Sequence, residues 1–322
     1  MKIIARLTRN ALYAGGVFAM LTGCGGSRSS IVPPETFQAN GINSRAGHDQ
    51  RSAPLDDNGR SLLYVAAGSV EVYTYPRGKQ LGSLGWGGYL CSDRFGNIIV
   101  AGAEGISYVW VFPHGGSNPI ATLYNPESPG GCSVEQSSEN IAVASADSGA
   151  VVVFPYNPKR GWRLAHDYHD PNMRGGQYCT YDPQGDIFVD GYDTNASFML
   201  AELPKGSSTF TTITLDQVVH RPGSMQWYGK YLAIEDAGKT GSNPAVIYRY
   251  AISGSSGHRV SVTTLKDSVA NGQFLIYNRT VIGPMKHNSV YGLGFWRFPS
   301  GGAPFRTIST YTIPGGEALS LK

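Results

Sequence analysis

Asn97-Ile98-Ile99-Val100-Ala101, followed by Tyr108-Val109-Trp110-Val111-Phe112-Pro113-His114-Gly115-Gly116, is the stretch that decides the fold. A short apolar run bounded by turn residues reads as a strand buried on both faces. The second run is a strand stopped by Pro113, because proline cannot donate to a ladder and is pushed to strand ends. Ahead of both, Gly87-Gly88-Tyr89-Leu90-Cys91-Ser92-Asp93 is a first strand. It is joined to Asn97 by the turn Arg94-Phe95-Gly96, where Gly96 takes positive φ at no steric cost. Behind them, Pro119 to Leu123 supplies a fourth, edge strand. Four strands and three turns make one self-contained antiparallel unit.

The unit recurs. Tyr75-Pro76, Phe112-Pro113, Phe154-Pro155, Leu203-Pro204, Tyr250-Ala251 and Phe298-Pro299 mark the same turn at steps of 37, 42, 49, 47 and 48 residues. All-β repeats of about 40–50 residues are the blades of a β-propeller. A sandwich or solenoid would not repeat one phrase at this spacing. The first copy starts at Leu62 without an opening strand, and Pro314 to Ser320 carries the missing Gly-Gly phrase at the other end. The expectation is therefore an all-β chain of six four-stranded blades over residues 61–322. A C-terminal strand completes the N-terminal blade and closes the ring, leaving only short, protected edges. No segment outside the leader shows sustained helical apolar spacing.

The first 23 residues read as a leader. Lys2, Arg6 and Arg9 form a basic start, and Ala11 to Leu21 is an apolar run too short to span a bilayer. Leu21-Thr22-Gly23-Cys24 then resembles the lipobox of bacterial lipoproteins. That resemblance implies cleavage before Cys24, a diacylglyceryl group on its thiol, and anchoring to a membrane rather than spanning it. A secreted protein cut near this point, or an uncleaved anchor, are the alternatives. Gly25 rather than Asp follows the cysteine, which in a Gram-negative host implies the outer membrane. Residues 24–60, with Gly25-Gly26-Ser27 and Pro33-Pro34, read as the lipidated N-terminus and a tether.

The chain carries 26 basic and 23 acidic residues, and removing the leader leaves 23 of each. No basic run remains to favour nucleic acid. Beyond Cys24, the cysteines are Cys91, Cys132 and Cys179, on the opening strands of successive units. Three cannot all pair within one chain. Three buried thiols, one disulfide plus a thiol, and a thiolate metal site all stay open.

Two places could carry chemistry. His166-Asp167-Tyr168-His169-Asp170 lies between the third and fourth units and reads as a rim loop; His166, His169 and Asp170 are the candidate transition-metal ligands there. Asp93, Glu135 and Asp182 end the opening strands of three units and could converge on a cation such as Ca²⁺ or Mg²⁺ at the channel mouth. Alternatively, each acid caps the turn that follows it. A nucleophile elbow, a P-loop and a dinucleotide fingerprint are all absent from the sequence.

The V-x-V-F-P-x-G-G turn together with the N-I-x-V strand is similar to the NHL-type and YVTN-type propeller repeats of exported bacterial proteins, over residues 61–322. The resemblance implies fold more than function, because such relatives include scaffolds, binders and metal-dependent lactonases and lyases. The function expected is a lipid-anchored, non-enzymatic module of the cell envelope that binds protein or glycan and needs no cofactor. The alternative is a metal-dependent, lactonase-like hydrolase or lyase with its site at the channel mouth.

Overall fold

The computed structural model describes residues 55, 59–103, 105–163, 165–239, 244–270 and 272–322. The leader 1–23, the lipidation site Cys24 and nearly all of the tether lie outside the described residues. The described chain is all-β and builds six blades. Blade 1 runs outward from the channel as Gly316–Ser320, Leu62–Ala67, Ser69–Thr74 and Gln80–Leu84. Blade 2 is Tyr89–Ser92, Ile98–Ala103, Ser107–Phe112 and Ala121–Tyr124. Blade 3 is Pro129–Val134, Ile141–Ser145, Ala150–Phe154 and His166–His169. Blade 4 is Met173–Tyr181, Ile187–Asp193, Phe198–Leu203 and Thr211–Thr212. Blade 5 is Met225–Tyr228, Tyr231–Asp236, Val246–Ser253 and Ser256–Thr264, with Thr214–Leu215 added in parallel at its outer edge. Blade 6 is Leu275–Tyr277, Thr280–His287, Val290–Arg297 and Gly301–Ser309.

The ring closes as the split phrase requires. Gly316–Ser320 pairs antiparallel with Leu62–Ala67, placing Leu319 opposite Leu63 and Glu317 opposite Val65. Each gap between neighbouring blades holds its own apolar layer. Leu62, Tyr64 and Ala66 pack with Val100 and Trp110 of blade 2, while Leu63, Val65 and Ala67 pack with Ile282 and Phe295 of blade 6. Successive side chains of a strand point to opposite faces, so a strand between two blades must be apolar at every position. That is why the second strands read as unbroken apolar runs rather than as alternating ones.

Three details depart from the sequence reading. The opening strands of blades 5 and 6, Met225–Tyr228 and Leu275–Tyr277, are not preceded by the Gly-Gly phrase that opens the second unit. Leu55, assigned to the tether, docks on the ring: its N–H bonds the Gly115 carbonyl at 3.0 Å and its side chain packs against the blade 1–2 layer. His166–His169 is not a rim loop but the outermost strand of blade 3, paired with Val153 to Ala150. An outer edge strand is solvated and tolerates polar residues on both faces, which hid its period from the sequence.

Candidate functional site: the central channel

The inner strands surround a chamber of about 270 Å³ on the channel axis. Its polar wall residues are mostly committed to the neighbouring blade. Ser133 Oγ accepts the Tyr181 N–H at 3.1 Å, linking blade 3 to blade 4. Thr180 Oγ1 accepts the Trp227 N–H at 3.2 Å, linking blade 4 to blade 5. Gln226 brackets Ile276 of blade 6, donating to its carbonyl at 3.0 Å and accepting its N–H at 2.6 Å. Gln273 crosses over Gly316 of blade 1 and brackets Leu90 of blade 2 in the same way, accepting the Leu90 N–H at 3.1 Å and donating to its carbonyl. The Cys91–Cys132 disulfide joins blade 2 to blade 3. These links form a girdle around the chamber. Inner strands of neighbouring blades do not share a ladder, so side chains satisfy their backbone groups instead.

Of the three open cysteine readings, the structure shows one disulfide plus a thiol. Cys179 is buried in the same wall, with its Sγ 3.4 Å from the Gly131 carbonyl. Burial pushes its thiol up to about 12, which leaves it protonated and unreactive.

Close to the girdle lies a group of buried acids that the sequence reading passed over. Glu317 lines the chamber, and Asp190 and Glu235 lie close enough to interact with it or with one another. They are 1%, 0% and 3% exposed. Neither oxygen of Glu317 has a hydrogen-bond partner, nor does Asp190 Oδ2. Asp190 Oδ1 accepts the Tyr178 N–H at 3.1 Å. Burial raises all three carboxyls, and Glu235 adds repulsion to Asp190 and Glu317; Glu235, repelled in turn by Asp236, is raised to about 8 even though the Ser224 N–H favours its ionised form. Tyr178, raised by the same burial, stands edge-on to Tyr89 at 5.7 Å across the axis. Gly131 makes room for this pair, since a Cβ there would collide with the Tyr178 ring.

The sequence held a signal for two of these acids. In the second-strand phrase, Ala66, Ala101 and Ala144 occupy the fifth position, where blades 4 and 5 carry Asp190 and Glu235. An acid where three other blades carry alanine, twice in neighbouring blades, is the signal. Glu317 could be found only by placing the C-terminal phrase in the first blade.

The expected mouth acids sit at the ends of three inner strands, each at the head of the same turn. Asp93 Oδ1 accepts the N–H groups of Phe95 and Asn97 at 2.9 and 2.8 Å. Asp182 Oδ1 accepts those of Gln184 and Asp186, both at 2.9 Å. Glu135 is bound by Lys205 at 2.6 Å, by Ser137 at 2.9 Å and by Ser138. Burial would raise the Glu135 carboxyl, but Lys205 and the two serines outweigh it and hold it low. The three acids therefore serve local bonds and do not form one ligand set.

On blade 3, His166 and His169 do not converge. They are an odd number of residues apart on one strand and so face opposite ways. Asp170 is buried and accepts the Asn172 N–H at 2.9 Å. His169 instead meets Asp167 and Glu127, each offering one atom within 4.8 Å of the others. Ser145 and Ser148 both donate to Glu127 Oε2 at 2.9 Å. Asp167 and His169 are exposed, and carboxylates in such positions commonly lie this close with no ion between them.

The fold and its girdled chamber define a six-bladed β-propeller whose inner strands present a closed-walled channel. No protein-family model and no curated protein sequence matches the chain. Among solved structures it is similar to the crystal structure of TolB from Acinetobacter baumannii, with a TM-score of 0.56 and 11% identity over 83% of this chain and 68% of that one. At that identity the likeness shows the fold.

Proposed function

We propose that this chain is a cell-envelope propeller, tethered by lipid on Cys24, that binds a partner protein or glycan at the mouth of its channel and performs no chemistry on it. The observation that carries this reading is that most of the chamber's polar side chains are committed to the girdle. Ser133, Thr180, Gln226 and Gln273 hold neighbouring blades together through backbone bonds, and Asp93, Glu135 and Asp182 are taken up by their own turns or by Lys205. A metal-dependent hydrolase would need such groups to converge on a shared ion or reacting atom. What the mouth does offer is a concave wall with exposed Gln136 at its lip and Trp227 in its lining, the mix of aromatic and adaptable polar surface suited to recognition. The leader and its lipobox-like end support export and anchoring. The likeness of the blade phrase to NHL and YVTN repeats, and the structural likeness to TolB, fit a binding propeller.

The test compares two surface substitutions. Gln136→Trp obstructs the mouth, and Phe305→Ala alters the outer face of blade 6, where Phe305 is exposed. Binding of the mature domain, residues 25–322, to solubilised envelope proteins and to an array of envelope glycans is expected to fall with the first and to persist with the second. Equal loss with both, or retention with both, contradicts the reading. Labelling with an alkyne fatty acid, lost on Cys24→Ser, tests the anchor.

A further inference from the structure

Charge is divided unevenly along this chain. Residues 237–316 hold eight lysines and arginines and a single acid, Asp267, in a sequence whose totals are 26 and 23. That stretch covers the two outer strands of blade 5 and the whole of blade 6. Asp267 lies 3.3 Å from His287. The same division shows on the rim of the channel mouth. In blades 2, 3 and 4 the turn after the inner strand opens with Asp93, Glu135 and Asp182; in blades 5 and 6 that turn carries Lys230 and Arg279. On the acidic side the cations are paired, Arg94 with Glu139 at 2.7 Å and Lys205 with Glu135 at 2.6 Å. On the basic side none of Lys230, Arg249, Arg279 and Arg306 forms an ion pair among the described residues.

Aromatic rings hold these cations at the rim. Arg249 lies 5.3 Å from the ring centres of both Tyr231 and Phe298, and Lys230 lies 5.3 Å from that of Tyr231. Phe298 meets Tyr228 edge-on at 5.5 Å, and the Tyr228 hydroxyl accepts the Arg279 backbone N–H at 3.4 Å. The cluster adjoins the chamber, because Tyr228 directly follows Trp227 of the chamber wall. The Nε–H of Arg249 donates to Ser261 Oγ at 2.5 Å, which fixes the guanidinium and leaves its terminal nitrogens without a partner among the described residues. Such a fork matches a carboxylate through two parallel N–H bonds.

What the surface presents narrows its occupant. The Tyr231 ring carries Lys230 and Arg249, and Phe298 is 3% exposed with Arg249 over it, so neither offers an open face on which a sugar ring would stack. None of the large apolar side chains exposed on the described surface belongs to this cluster, so it has no wedge to bury in lipid. Arginine, tyrosine and tryptophan beside a concave mouth are the side chains on which protein interfaces concentrate their binding energy. The unpaired positive charge selects a partner surface of opposite sign.

We propose that an acidic segment of the partner protein lies across the rim of blades 5 and 6 beside the mouth, with one carboxylate on the terminal nitrogens of Arg249 and others against Lys230 and Arg279. This rests on the reading of the mouth as a binding site and narrows the partner to a protein with clustered Asp and Glu.

The experiment measures binding of the mature domain, residues 25–322, to poly-L-glutamate by fluorescence anisotropy, with polygalacturonate and phosphatidylglycerol vesicles as parallel probes. Poly-L-glutamate is expected to bind at least about tenfold more tightly than either, and less tightly as salt is raised. Arg249→Gln is expected to weaken it at least about tenfold, because a charge-assisted pair is lost. Should that variant fail to fold by circular dichroism, Lys230→Glu combined with Arg279→Glu, both on exposed turns, is expected to give at least the same loss. Lys159→Glu, exposed on blade 3, is expected to leave binding unchanged. Tighter binding of polygalacturonate, tighter binding of the vesicles, equal loss with Lys159→Glu, or no binding of any probe each overturns the assignment. If poly-L-glutamate fails while Gln136→Trp still blocks partner binding, the acidic-segment assignment falls and the mouth reading stands.

Discussion

Replacing Glu235 by glutamine should stabilise the protein, and more so as pH rises. Glu235 is 3% exposed and its carboxyl is raised by burial from 4.5 to about 8. The folded chain therefore holds a proton that the unfolded chain releases once pH passes 4.5. Below that pH both states are protonated and the group contributes nothing to the balance. Between 4.5 and about 8 the folded state is progressively penalised, by about 1.4 kcal/mol per pH unit, reaching about 5 kcal/mol at the top of the window. Glutamine keeps an acceptor for the Ser224 N–H and cannot ionise. Urea unfolding of both proteins at about pH 5, 6, 7 and 8 should give free-energy curves that diverge with that slope. Parallel curves would refute the reasoning, because they would mean that Glu235 ionises in the folded channel as readily as in the unfolded chain.

Other expectations follow from the same structure. Replacing Cys91 and Cys132 together by alanine opens a bridge spanning 41 residues and should lower stability by about 3–4 kcal/mol, read from urea midpoints under non-reducing conditions. Cys179 should resist a thiol reagent in the folded protein and react only on unfolding, since burial holds its thiol at about 12; fast native labelling would contradict its placement. Ser133→Ala removes the acceptor for the Tyr181 N–H and should lower stability by about 1–3 kcal/mol with no change in the fold. Gly191→Ala drives a Cβ into the Gly175 carbonyl of the neighbouring strand and should lower stability by about 1–3 kcal/mol, measured by thermal melting.

The architecture was legible because its cause is repetition. Ile98 to Ala101 and Ile141 to Ala144 sit between two blades, so both faces select apolar residues and the phrase survives in sequence. The split first blade was legible for the same reason, through the Gly-Gly phrase before Glu317. The outer strands were less so. His166–His169 meets solvent along one edge and bears polar residues that mimic a loop. The site was harder still. Asp93 and Asp182 drew attention as carboxylates at repeated positions, but the same repetition arises when each acid closes its own turn. Asp190 and Glu235 were hidden inside strands whose neighbours are apolar, and their meeting with Glu317 depends on ring closure. The disulfide was equally illegible, because pairing depends on how close blades 2 and 3 approach at the channel wall, which spacing alone does not reveal.

The central claim is that the channel mouth is the binding surface. It is tested most directly by placing a photo-crosslinking amino acid, one site at a time in cells, at the mouth (Gln136), on the opposite rim (Ala196) and on the outer edge of blade 6 (Phe305). These positions line the chamber, line a cleft of about 430 Å³ and lie exposed on the outer strand, respectively. A discrete protein adduct is expected from Gln136 and not from Ala196 or Phe305. Adducts from Ala196 or Phe305 with none from Gln136 would contradict it and move the functional face elsewhere on the ring.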